Sequence, residues 1–139
     1  MIVPDARSEP LPQGILHFPE GLPGFENLRQ FVLLRDEDLG PLLFLTAVAE
    51  VHICLPVVPV GWVQKDYSLA LSEEDRRVLE MAEAPRPGDN VAILAVVNLG
   101  DGAQAATANL FAPIVVNLEK WKAKQVILYD SEYPVAVEV

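Results

Sequence analysis

The sequence predicts a mainly β fold, one antiparallel domain of short strands with a single short helix, and three observations carry that prediction. Apolar and β-branched runs of strand length recur through the 139 residues, each closed by glycine, proline or a charged turn. The run from Thr107 to Val116 contains Pro113, which has no N–H to give a ladder and is tolerated only at an edge, a strand start or a bulge. That run therefore reads as a bulged β-unit. Only one stretch, opening with Ser72-Glu73-Glu74-Asp75, carries a helix-start signature.

The first strand is expected over residues 14–18. Gly21-Leu22-Pro23-Gly24 then places proline and glycine at the central positions of a type II turn, which directs Phe25 inward as a core anchor rather than a surface contact. Residues 28–34 read as a second strand and 35–41 as a charged, solvated loop. A third strand is expected over 42–48 and a fourth over 51–58, with Pro56 and Pro59 pushing its far end to an edge or bend. In the fourth, Glu50, His52 and Cys54 alternate with Val51, Ile53 and Leu55, so a regular strand would put three polar or ligating groups on one face. A metal site needs further ligands and supporting hydrogen bonds, and the only other histidine, His17, is distant in sequence. No metal is assigned.

Tyr67 reads as a buried aromatic whose hydroxyl finds a partner, followed by a short run over 68–71. Ser72 is the expected N-cap, and the three acids after it suit the positive end of a helix dipole. Val78, Leu79 and Ala82 supply a short apolar stripe before Pro85-Arg86-Pro87-Gly88 stops the helix. Residues 90–97 are nearly continuously apolar and belong in a central strand. After a glycine turn near residue 100 comes the Pro113 unit, flanked by Asn109 and Asn117, short amides that satisfy backbone groups left unpaired by an irregular ladder. Residues 125–128 are expected as a further strand, 129–132 as a bend and 133–139 as a terminal strand.

The chain suits one domain, 1–139, with a polar leader over 1–13. Its 51% hydrophobic content exceeds that of disordered proteins. The formal net charge of −10 argues against nonspecific nucleic-acid binding, which depends on Lys and Arg, and favours a basic protein partner. One cysteine, Cys54, excludes an internal disulfide framework and fits a reducing compartment. The longest apolar stretch, 53–63, is broken by Pro56, Pro59 and Gly61 and is too short for a membrane helix, so a soluble protein is expected. Two histidines and one cysteine leave few routes to nucleophilic catalysis, and no phosphate-cradling glycine loop precedes a helix. Neither a catalytic residue nor a cofactor is assigned. Glu119-Lys120-Trp121-Lys122-Ala123-Lys124 is the one basic and aromatic cluster, read as a solvated hairpin connection.

The run Ala108-Asn109-Leu110-Phe111-Ala112-Pro113-Ile114-Val115-Val116-Asn117, with Lys124-Gln125-Val126-Ile127-Leu128 and Tyr133-Pro134 after it, resembles the FliW family of flagellar assembly factors. Phe18-Pro19-Glu20-Gly21-Leu22-Pro23-Gly24-Phe25-Glu26 resembles that family's first motif, and Asp66-Tyr67 falls where its central motif would. In this order and spacing the motifs are specific. The resemblance implies a compact closed β-barrel, a cytoplasmic location and a non-catalytic, chaperone-like role. It also implies two partners: flagellin, and the RNA-binding translational repressor CsrA, whose repression of flagellin translation such factors relieve. Partner contacts are placed at exposed edges or loops near Phe111, Pro113, Asn117 and Trp121. The alternative is a small β-barrel ligand-binding protein or enzyme of unknown substrate. Three departures bear on partner choice: Thr46-Ala47-Val48-Ala49-Glu50 replaces a usual serine and paired acids, Ala123 replaces a glycine, and Val135-Ala136 lacks a basic residue. They are expected at loops and strand ends more than in the core.

Overall fold

The computed structural model describes residues 9–10, 14–86 and 89–139. Among these described residues nine strands follow in order: β1 (Glu9–Pro10), β2 (Leu16–His17), β3 (Gln30–Arg35), β4 (Leu43–Ala47), β5 (Cys54–Pro59), β6 (Val91–Asn98), β7 (Thr107–Asn117), β8 (Lys122–Gln125) and β9 (Val137–Glu138). Among the described residues one α-helix, α1 (Glu73–Val78), lies between β5 and β6. Seven strands close a ring in which β3, β4, β5, β6, β7 and β8 pair antiparallel in succession. β2 completes it, antiparallel to β3 and parallel to β8 through the single pair His17 and Lys122. A closed barrel leaves no sheet edge around its circumference. β1 pairs with β3 and β9 with the first residues of β7.

Alternation along the strands separates an interior from an outer layer. Phe18, Phe31, Leu45, Val57, Leu94, Ile114 and Val116 belong to the barrel core, where Phe18 meets Phe31 edge-to-face at 5.0 Å. Alternating with the core positions of β5 and β6, Val58, Ala95 and Val97 pack on the opposite face with Ala108, Leu110 and Tyr67. Val115 is likewise covered from outside by Leu79, Val126 and Leu128. This double burial explains why β6 reads as a nearly continuous apolar run. Each fully buried phenylalanine contributes roughly 1.5–3 kcal/mol.

The expected turn after β2 is present. Phe25 N–H donates to Leu22 O at 2.7 Å across Pro23 and Gly24, and Gly24 has φ +88° as a type II turn requires. Gly21 has φ +66°, and a Cβ there would lie 2.6 Å from Glu26 Cα, so only glycine fits. Phe25 packs half-buried against the barrel core. The Ser72 cap is also as expected, its Oγ accepting from Asp75 N–H at 3.0 Å.

Several boundaries differ from the sequence expectations. The first strand shrinks to two residues, and 68–71 form no regular element. The helix stops at Val78, well short of Pro85, because Glu80 adopts φ +57° while Met81 N–H returns to Arg76 O and Glu80 N–H to Arg77 O. That is a Schellman closure with glutamate where glycine is usual. The fourth strand starts at Cys54; Glu50 and His52 sit in an exposed turn, while Cys54 is buried against Thr46. The three groups therefore share no face. Burial pushes the Cys54 thiol up, partly offset by the Thr46 hydroxyl. The strand expected over 125–128 moves back to 122–125, so the presumed solvated link is itself a barrel strand. Only Val137–Glu138 of the expected terminal strand pair. Most of the expected polar leader lies outside the described residues; Glu9–Pro10 within it form β1.

Candidate functional site

β7 organises the outer surface through an irregularity centred on Pro113. Leu94 pairs with Ile114 and Val96 with Asn109, so four residues of β7, 110–113, face the single residue Ala95 of β6. The extra backbone groups are all used. Asn109 Oδ1 accepts from Phe111 N–H at 2.9 Å and Ala112 N–H at 3.1 Å, and Gln125 Nε2 donates to Ala112 O at 3.0 Å. The carbonyls of Pro113 and Phe111 accept from Val126 N–H and Leu128 N–H, each at 2.9 Å, and Leu110 N–H donates to Pro134 O at 3.0 Å. The bulge thus anchors the segment that follows β8 along its length.

The second amide closes the hairpin between β7 and β8. Asn117 is buried, with Oδ1 accepting from Glu119 N–H at 3.1 Å and Lys120 N–H at 3.4 Å, while Nδ2 donates to Leu79 O at 2.8 Å. Trp121 finishes the turn at φ +55° and packs half-buried against the barrel core. Its carbonyl accepts from His17 N–H at 2.8 Å, at the seam where β2 meets β8. Of the four residues proposed from sequence, Pro113 and Asn117 are buried and Phe111 and Trp121 half-buried. Any contact near Pro113 or Asn117 is with the loops they shape.

What Phe111 supports is exposed. Its ring meets Tyr129 edge-on at 6.4 Å, and Tyr129 is 78% exposed. Tyr129 and the neighbouring exposed Ile127 border an open groove of about 960 Å³ between the segment after β8 and the start of α1. Five carboxylates line it: Glu20, Glu74, Asp75, Asp130 and Glu132. Lys124, the one cation among the described lining residues, donates to Asp75 Oδ1 at 2.7 Å and Glu20 Oε1 at 3.2 Å. Burial alone would lower the Lys124 pKa, but hydrogen bonds to Asp75 and Glu20 outweigh it and hold the ammonium charged. Asp75 therefore does more than complement the helix dipole: it ties α1 to β8.

Tyr67 and Tyr133 brace the same segment from beneath. Their rings stack at 4.3 Å, Tyr67 donates its hydroxyl to Leu110 O at 2.6 Å, and Ser68 N–H donates to Tyr133 Oη at 2.7 Å. Burial pushes the Tyr67 phenol far up, with a smaller contribution from Tyr133. Residues 129–132, expected as a bend, carry the exposed Tyr129 and two of the groove carboxylates, Asp130 and Glu132. The signal available was a tyrosine among acids immediately after an apolar run, but the acids of α1 become neighbours only through the fold.

The departures from the family pattern fall mostly where expected: Thr46 and Ala47 end β4, Val48, Ala49 and Glu50 lie in the exposed turn after it, and only Ala123 is inside a strand. Thr46, Ala47 and Ala123 are buried in β4 and β8, whereas Val135 and Ala136 are exposed. Ala123 pairs across β8 with Val116 of β7, where a methyl fills barrel volume.

Comparison with known proteins agrees with this architecture. A crystal structure of the flagellar assembly factor FliW superposes with a TM-score of 0.81 at 29% identity, covering 94% of this chain and 88% of that one. Flagellar assembly factor FliW of Pseudothermotoga lettingae is 40% identical over 124 residues, 88% of this chain and 76% of the relative. The factor of Thermosipho africanus is 36% identical over 122 residues, 87% and 81% of the two chains. A family model described as FliW protein matches residues 7–139, and the chain belongs to the FliW family of flagellar assembly factors.

Proposed function

We propose that this protein is a non-catalytic regulator of the cytoplasm that binds the translational repressor CsrA and flagellin as exchangeable partners. Binding CsrA relieves repression of flagellin translation, and accumulating flagellin displaces it. Family membership over nearly the whole chain is the observation that carries this reading. The net charge of −10 supports it, since electrostatic steering toward a basic RNA-binding protein raises the association rate more than the final affinity. Among the described residues no helix is long and apolar enough to cross a membrane. The contacts we assign lie near Phe111 and Trp121 and on the loops that Pro113 and Asn117 shape. In the test, purified protein is mixed with CsrA, flagellin is titrated in, and complexes are measured at two salt concentrations. Linkage requires the competition to be reciprocal at equilibrium. A stable ternary complex with undiminished affinities overturns the switch, and salt-insensitive association overturns the steering. Binding to neither partner returns the chain to the ligand-binding or enzymatic alternative.

A further inference from the structure

We propose that the groove between α1 and the segment after β8 is the docking surface for a cationic amphipathic protein segment, one with lysine or arginine on both sides of a large apolar residue. It rests on the binding reading above and gives that reading a place and a chemistry. Three features support it. The apolar groups are exposed yet held: Ile127 is 41% and Tyr129 78% exposed, and Tyr129 has Phe111 against its edge and the bulge hydrogen bonds of Val126 and Leu128 beside it. A partner therefore meets a preorganised surface and orders little on binding.

The charge is one-sided and comes from more than one element. Glu74 and Asp75 belong to α1, Asp130 and Glu132 to the segment after β8, and Glu20 to the loop after β2. Asp75 and Glu20 are engaged by Lys124; Glu74, Asp130 and Glu132 are exposed and make no ion pair among the described residues. Three carboxylates thus flank an apolar strip with no cation of their own, and the complement is basic at the flanks and apolar between them. A second copy of this chain, itself at −10, is a poor complement. The Tyr67–Tyr133 stack supplies the third feature, fixing the segment after β8 so that both walls keep their spacing.

The test compares two triple charge reversals of equal net change. One alters the groove (Glu74→Lys, Asp130→Lys, Glu132→Lys), and the other alters exposed acids outside the groove lining (Glu37→Lys, Glu83→Lys, Asp101→Lys). Tyr129→Ala removes the apolar contact without changing charge. All substitutions are at exposed residues, and circular dichroism and thermal melts confirm the fold. Probes are CsrA, flagellin, a synthetic Lys/Leu amphipathic peptide and its Glu/Leu counterpart. The groove triple and Tyr129→Ala are expected to weaken at least one protein partner tenfold or more, with the control triple within about threefold. Amide shifts on adding the Lys/Leu peptide are expected at residues 71–75 and 125–133, and absent with the Glu/Leu peptide. Equal losses in both triples, unchanged binding by the groove variants, scattered shifts, or equal response to both peptides overturn the proposal while the partner reading stands. A wild-type dimer dissociated by Tyr129→Ala makes the occupant a second copy and also overturns it. If wild type binds neither protein, the partner reading fails, and the peptide shifts alone decide the groove.

Discussion

Replacing Asn117 by alanine tests how far one buried amide holds the β7–β8 hairpin to the helix end. The side chain spends both its ends: two turn N–H groups on Oδ1 and the carbonyl of Leu79 on Nδ2. Leu79 is wholly buried, so its carbonyl loses its partner without gaining water, at about 1–3 kcal/mol. Glu119 and Lys120 are exposed, and water replaces their lost bonds at about 0.5–1 kcal/mol together. The total is about 1.5–4 kcal/mol. At about 4 °C per kcal/mol for a chain of this length, the melting temperature falls by about 6–16 °C. Urea unfolding followed by tryptophan fluorescence should show a lower midpoint with an unchanged slope. Asn117→Asp separates the two halves: it keeps the acceptors for the turn but sets a carboxylate against Leu79 O. That pairing raises the folded-state pKa of the new acid, so the variant is destabilised at neutral pH and recovers as pH falls and the protonated acid donates. A loss below about 1 kcal/mol for alanine, or an Asp variant indifferent between about pH 7 and pH 4, refutes the reasoning.

Other consequences are equally direct. Glu80→Gly should stabilise the protein by about 0.5–1 kcal/mol, since relief of the positive φ outweighs the exposed Lys122 contact; a lower melting temperature would contradict the Schellman account. Tyr67→Phe should cost about 1 kcal/mol at neutral pH by losing the bond to Leu110 O, measured by urea unfolding. Because the folded Tyr67 pKa is raised, its stabilisation is complete below pH 10 and is lost as pH rises toward the folded value. Wild type should therefore lose more stability than Tyr67→Phe between about pH 9 and pH 11, and parallel curves would sink that sign. Lys124→Met should cost about 2 kcal/mol, between an exposed and a buried pair, and a double-mutant cycle with Asp75→Asn should show coupling; additive losses would remove the α1–β8 tie.

Local chemistry made much of this fold readable. The type II turn at Pro23-Gly24, the Ser72 cap and the bulge at Pro113 each follow from one residue's backbone constraint, and such constraints act wherever the residue stands. The amide roles of Asn109 and Asn117 were legible for the same reason, because unpaired backbone near a proline must be satisfied within reach. β6 was placed centrally from its unbroken apolar run, which records burial on both faces.

What required the tertiary structure was every feature set by distant parts of the chain. No local signal ends α1 at Val78, because Glu80 accepts a left-handed conformation only with Leu79 seated on Val115 and its carbonyl held by Asn117. The basic link became β8 because Trp121 turns the chain early and Ala123 fills the barrel, while its sequence, a basic and aromatic cluster, carries no strand pattern. The groove joins Glu20, Glu74, Asp75, Asp130 and Glu132 from three regions, and their nearness is a property of barrel closure. From the sequence alone came the fold class, the bulge, the helix start and the family resemblance, because each rests on short-range backbone rules and motif order. Which acids and apolar side chains border one groove, and that Pro113 and Asn117 are buried, was decided in space, where long-range pairing sets side-chain exposure.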